Sequence, residues 1–295
     1  FDPDGSPEKA GMKGDKYVGN LYVKFENEFK KEYENLLDKG YSKEEARKES
    51  PIMKKAHELL KKWEKGENDV MQLWEKMNSW VYDGFDSTYE KLGISFDKIY
   101  YESQTYKTGK QIIKEGEESG IFFKKEDGSI WIDLSDIKLD DKLLLRSDGT
   151  SVYITQDIGT AVERFEKNNP DKHIYVVGNE QNHHFKVLKA VLKKLNYKWA
   201  DDIEHMSYGM VELPEGKMKS REGKVVDADD LIEEMVLTSK SLSSEVGKIK
   251  EMSNEEQKNV YSIIAIGALK YFILNFIFNK NSFFNYPFHM PFNEL

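Results

Sequence analysis

The segment Pro214-Glu215-Gly216-Lys217-Met218-Lys219-Ser220-Arg221-Glu222-Gly223-Lys224 gathers four cations about two glycines, directly after an expected strand. A polyphosphate would suit such a loop. Its cations could stabilise charge on a departing pyrophosphate, and its glycines would let the backbone open and close. For an arbitrary lysine-rich loop a solvated surface turn is the preferable reading. A P-loop is excluded, because Gly209 to Gly216 has the wrong spacing and Met218 stands where Ser or Thr would hold magnesium. Gly14 to Gly19, followed by Asn20 rather than Lys, is a second near miss, so a kinase or GTPase reading loses its main support.

Other polar residues stand out by type. Asp157 lies four residues after Tyr153, where a strand is expected to pass into a helix, and taken alone it reads as an N-cap. Glu102, in Phe96-Asp97-Lys98-Ile99-Tyr100-Tyr101-Glu102-Ser103, reads as a surface carboxylate on an irregular segment, and Gln181 as a helix cap. His183 and His184, even with His173 and His205, lack the Cys or His-Glu-x-x-His spacing of a zinc site, so no metal ligand is expected. Arginine is confined to Arg47, Arg146, Arg164 and Arg221. Arg146, before the Asp148-Gly149 turn, is expected to pair with an acid.

The elements that must position these residues fall into three stretches. Residues 1–92 read as a helical insertion, with apolar residues at three- and four-residue spacing from about Lys16 to Leu92 and breaks at Gly40/Ser42 and Gly66/Asn68 that make three helices. Its tryptophans 63, 74 and 80 are expected in the core. Residues 93–238 alternate strands and helices. Ile121 to Ile132 about Asp127-Gly128 reads as one hairpin. Leu143 to Ile154 about Asp148-Gly149 reads as a hairpin-like turn. A helix over Asp157 to Phe165, a strand over His173 to Val177, a helix over Gln181 to Leu195, and a strand over His205 to Leu213 follow. That alternation predicts an α/β fold with a parallel sheet. Residues 239–295 are helical and aromatic, and Tyr261 to Phe278, interrupted by Lys270 and Asn275, reads as a buried helix rather than a membrane span.

The loop and its surroundings carry a family resemblance. Lys217-Met218-Lys219-Ser220-Arg221 resembles the Lys-Met-Ser-Lys-Ser signature loop of class I aminoacyl-tRNA synthetases, in the divergent form of the arginine–tRNA ligases. Lys219 stands in place of the expected Ser and Ser220 in place of the second Lys. Ser147-Asp148-Gly149-Thr150, Tyr153 to Thr160, Tyr175 to Gln181 with His184, and Tyr208-Gly209-Met210-Val211 follow the family's order and spacing over nearly the whole chain.

The resemblance implies a Rossmann-like parallel-sheet catalytic portion with signature loop 215–224, a helical insertion, and the start of an all-α anticodon-binding domain. It implies activation of arginine by ATP with magnesium, then transfer to tRNA. Tyr153, Asp157, Gln181 and Glu102 become substrate contacts, since a guanidinium removed from water needs a planar carboxylate acceptor. His184, Met210, Val211 and Lys217 become the ATP pocket, and Lys217, Lys219 and Ser220 the catalytic set. The family's His-Ile-Gly-His motif does not occur in the sequence and is expected upstream of Phe1, so the segment alone is expected not to activate arginine.

Composition limits the rivals. Absence of cysteine removes thiolate zinc and disulfides, and fits the cytoplasm. The formal net charge of -9 would repel a polyanion, so contact with tRNA must be local. No membrane association is expected, and the full-length protein is expected to be a monomer. A synthetase for cysteine or glutamine and a non-catalytic RNA- or partner-binding module are the competing readings. The missing zinc ligands and the Tyr153/Asp157 pair weigh against the first.

Overall fold

The structure, a computed structural model, describes residues 5–209, 226–243 and 247–278. In chain order the elements are helices α1 (Pro7–Ala10), α2 (Gly14–Asp38), α3 (Lys43–Glu49), α4 (Pro51–Glu64), α5 (Asn68–Lys91) and α6 (Glu102–Glu118), then strands β1 (Phe123–Lys124), β2 (Ile130–Ile132) and β3 (Lys142–Leu145). Helix α7 (Tyr153–Asn168), strand β4 (His173–Gly178), helix α8 (Asn182–Lys194), strand β5 (Ile203–Tyr208) and helices α9 (Ala228–Ser243), α10 (Gly247–Lys250) and α11 (Asn254–Phe278) follow. Among the described residues, 5–95, 226–243 and 247–273 form one compact unit, and 96–209 with the end of α11 form another.

The first unit is helical. The expected breaks at Gly40 and Gly66 are present, and both glycines take positive φ. A further break divides the middle helix at Ser50, which caps α4 while Pro51 opens it, so four helices, α2 to α5, stand where three were expected. Glu32 of α2 secures that break by accepting from the Ser50 hydroxyl at 2.6 Å and from the Ile52 amide at 2.9 Å. Helices α2 and α5 approach closely because glycines face the partner. A Cβ at Gly14 would stand 2.0 Å from the Trp80 carbonyl oxygen, and one at Gly84 2.4 Å from the Asp15 carboxylate.

The same unit contains an ion cluster. Asp229, in the first turn of α9, accepts from Lys13, from Lys91 at 2.7 Å and from the Thr88 hydroxyl at 3.0 Å. Burial raises its pKa, but these three donors and the Lys13 charge outweigh that and hold it at about 2. Helix α11 packs Ala265 and Leu269 against Ile232 and Met235 of α9. Only that stripe, with Tyr261, is enclosed among the described residues. Ile263 and Tyr271 remain exposed, so the helix is buried along one stripe only.

The second unit holds the α/β part. Strands β1, β2 and β3 form an antiparallel sheet, the first hairpin as expected. Strands β4 and β5 pair in parallel from His173↔Ile203 to Gly178↔Tyr208, with α8 as the crossover. One face of this pair packs on the core through Tyr175, Val177 and Ile203, while Ile174, Val176 and Met206 on the other face are exposed. The turn at Asp148-Gly149 forms, but its return arm is a single bridge, Leu145↔Ser151. Val152-Tyr153-Ile154 is not a strand, because α7 already begins at Tyr153. The buried Thr155 explains the difference. Its hydroxyl bonds the Leu144 carbonyl and pins the start of α7 onto β3.

Candidate functional site

Helix α7 carries Tyr153 and Asp157 one turn apart, so both project from one face near its N-terminus. A glycine-mediated crossing with α6 holds the helix in place. A Cβ at Gly109 would meet the Thr155 carbonyl oxygen at 2.0 Å, and one at Gly159 would meet the Gly109 nitrogen at 2.5 Å. The hydroxyls of Thr105 and Thr160 bond at 2.8 Å, and Thr108 donates to Glu163 at 2.6 Å.

Strand β4 ends at Gly178, a one-turn 3-10 helix covers Asn179–Gln181, and α8 begins at Asn182. Gln181 and His184 therefore stand at the carboxyl end of a parallel strand, beside Tyr208 at the end of β5. In open α/β sheets this is the edge where ligands bind. Asp157 reaches the same edge. His184 Nε2 lies 2.6 Å from Asp157 Oδ2, joining α8 to α7. The Asp157 side chain stays 40% exposed and that of His184 18%. Tyr153 is 80% exposed.

Behind this pair Arg164 and His173, which stand out singly in the sequence, come together. Arg164 of α7 donates to His173 Nε2 at 3.1 Å and lies 4.7 Å from the Tyr100 ring centre. Guanidinium only donates, so His173 accepts with Nε2 and carries its hydrogen on Nδ1. Burial, reinforced by the Arg164 charge, pulls the His173 pKa down to about 4. His173 stacks on Tyr175 at 4.1 Å, and burial pushes the Tyr175 hydroxyl up to about 12, with Arg164 opposing and Asp157 adding to the rise. The alternation of β4 was the available signal, since period two sets His173, Tyr175 and Val177 on one face.

The other sequence candidates are placed as follows. Glu102 is the first residue of α6, not part of an irregular segment, and is exposed. Gln181 is exposed and makes no side-chain capping bond. His183 is exposed. Among the described residues Arg146 forms no contact ion pair with an acid, although, after hydrogen bonding from Thr150, its charge helps lower the Asp148 pKa. It donates to the Ser151 carbonyl at 2.7 Å and to Thr150 at 3.1 Å, bracing the turn before α7. Trp63 and Trp74 pack together at 5.6 Å and Trp80 packs against Tyr17, but all three are half-buried rather than the core residues expected. Met210, Val211, Lys217, Lys219 and Ser220 lie outside the described residues. Among the described residues no three His, Asp or Glu side chains gather as a metal site, and no helix is long and apolar enough to cross a membrane.

Residues 16–289 match the family of tRNA synthetases class I (R), catalytic domain. The chain is 58% identical over 288 residues to an arginine–tRNA ligase of Bacteroides thetaiotaomicron, covering 98% of this chain and 48% of the relative. It is 54% identical over 280 residues to one of Amoebophilus asiaticus, covering 95% and 47%. Thus the chain spans about half the length of the curated relatives it matches. Among solved structures, arginyl-tRNA synthetase from Plasmodium falciparum superposes with a TM-score of 0.62 at 21% identity, over 85% of this chain and 42% of that one. The Thermus thermophilus enzyme gives 0.56 at 17%, over 85% and 48%. At those identities the likeness establishes the shared fold.

Proposed function

Since the chain belongs to the family of class I tRNA synthetase (R) catalytic domains, we propose that the protein of which it forms part is an arginine–tRNA ligase. The observation that carries this reading is the 58% identity to such a ligase along 98% of the chain. In the proposed reaction a carboxylate oxygen of arginine attacks the α-phosphorus of ATP and pyrophosphate leaves. The arginyl group then passes from AMP to a terminal ribose hydroxyl of tRNA. Such a displacement depends on positioning and on charge stabilisation.

In this reading Asp157 accepts from the guanidinium of arginine and Tyr153 covers it. Gln181, at the strand edge, holds the α-amino group, and Glu102 is a second acidic contact. Lys217, with Lys219 and Ser220, meets the phosphates, while Met210 and Val211 meet the adenine edge. Magnesium would ride on the nucleotide phosphates and neutralise charge there. The exposed carboxylate of Asp157 on a rigid helix fits a planar cation.

The test is arginine-dependent ATP–pyrophosphate exchange by the full-length protein. Exchange with arginine and none with lysine is expected, and Asp157→Asn should cost about a hundredfold or more in kcat/KM for arginine, because the charge facing the guanidinium is lost. No exchange with arginine, tRNA being present, would leave only the non-catalytic module.

A further inference from the structure

We propose that His184 is a positioning residue for the arginine-binding carboxylate rather than a nucleotide contact. The inference rests on the ligase reading and deepens it. Its basis is where the imidazole is already committed. Asp157 and His184 are 27 residues apart on different helices, so no local geometry forces their contact, yet Nε2 and Oδ2 meet at 2.6 Å. An ionised carboxylate can only accept, so Nε2 is the donor. The rest of the ring is held too. It meets Phe185 edge-on at 5.6 Å, and Phe185 is packed between Tyr175 at 4.8 Å and His205 at 4.3 Å. His184 is thus braced from behind by an aromatic wall, with its one committed nitrogen on Asp157. His183, its neighbour, is exposed.

The consequence for the carboxylate is orientation. A half-exposed aspartate on a helix surface samples several rotamers, and binding a guanidinium in two-point geometry requires one. A charge-assisted bond to one oxygen selects that rotamer before substrate arrives. Each carboxylate oxygen has two lone-pair directions, so Oδ2 can keep its bond to His184 while both oxygens face the guanidinium. His184 therefore acts on arginine through Asp157, and the nucleotide does not require it.

The experiment compares full-length wild type, His184→Ala, His184→Gln and Asp157→Asn in pyrophosphate exchange, with separate KM values for arginine and ATP and with melting temperatures as a folding check. His184→Ala should raise the arginine KM about tenfold and leave the ATP KM within about twofold, one charge-assisted hydrogen bond having been removed. His184→Gln, whose amide nitrogen can reach the same oxygen, should restore the arginine KM to within about threefold of wild type. If the alanine variant fails to fold, the glutamine variant decides: a rise in its ATP KM with arginine KM unchanged overturns the proposal, as it does for alanine. A rise in both KM values together also overturns it. Failure of the ligase reading is distinguishable, because wild type would then show no arginine-dependent exchange. Active wild type and crippled Asp157→Asn beside an unaffected arginine KM in His184→Ala would overturn this inference alone.

Discussion

His173 is an imidazole set where a proton is unwelcome, between the Arg164 guanidinium and the Tyr175 ring. Its folded pKa of about 4 lies below the ordinary 6.5. A group depressed on folding contributes stability that is complete above its unfolded pKa and disappears as pH falls through the folded value. The melting temperature of the protein should therefore drop from pH 6.5 toward pH 4, and His173→Gln, which can still accept from Arg164, should flatten that decline. An equal decline in the variant would count against His173 as the titrating group. Arg164 Nε and His173 Nδ1 are buried with no hydrogen-bond partner among the described residues, which costs stability and makes this spot sensitive to single substitutions.

At the scale of elements, the α6/α7 crossing decides where Asp157 stands. Gly109→Ala places a methyl group against the Thr155 backbone and should destabilise the protein by about 1–3 kcal/mol in urea unfolding, with a loss of arginine affinity as α7 shifts. Gly19→Ala on exposed α2, where a Cβ meets nothing within 4 Å, should instead stabilise by about 0.5–1 kcal/mol. The two glycines look alike in the sequence, which shows what could be read there and what could not. Helices α2 and α5, the first hairpin, β4 and α8 were legible, since each is encoded by local periodicity and turn residues, whereas the division of the helix between them at Ser50-Pro51 was not read. The start of α7 was not, because Tyr153 and Ile154 have strand propensity and the deciding bond runs from Thr155 to a carbonyl on β3. The substrate role proposed for Asp157 rests on the family resemblance, since taken alone the residue reads as a helix cap. Its bond to His184 crosses 27 residues and leaves no mark in the sequence.

At the scale of the molecule, the first unit is assembled from segments on both sides of the second in sequence, with Asp229 bonded to Lys13 and Lys91. Asp229 is held at about 2 against an ordinary 3.8, so its contribution is complete above pH 3.8 and lost as pH falls toward 2. Acid should loosen the two units in separate windows. Hydrogen exchange should quicken first in β4 and α7, between pH 6.5 and 4, and only below pH 4 in α9. Simultaneous loss would contradict that order. The exposed apolar groups Ile174, Val176 and Met206 on one sheet face, with Ile263 and Tyr271 on α11, predict self-association of the 295-residue chain on its own. Light scattering that gives a monomer mass at every concentration would refute it. The Asp229 cluster also sets a schedule on the ribosome. Lys13, paired locally with Asp15 at 3.1 Å, emerges 216 residues before Asp229, the second carboxylate it meets. At ~5–20 residues per second the completed helical insertion waits roughly 7 to 28 s for its last tie, while the segment between Lys91 and Asp229 is translated and free to fold first.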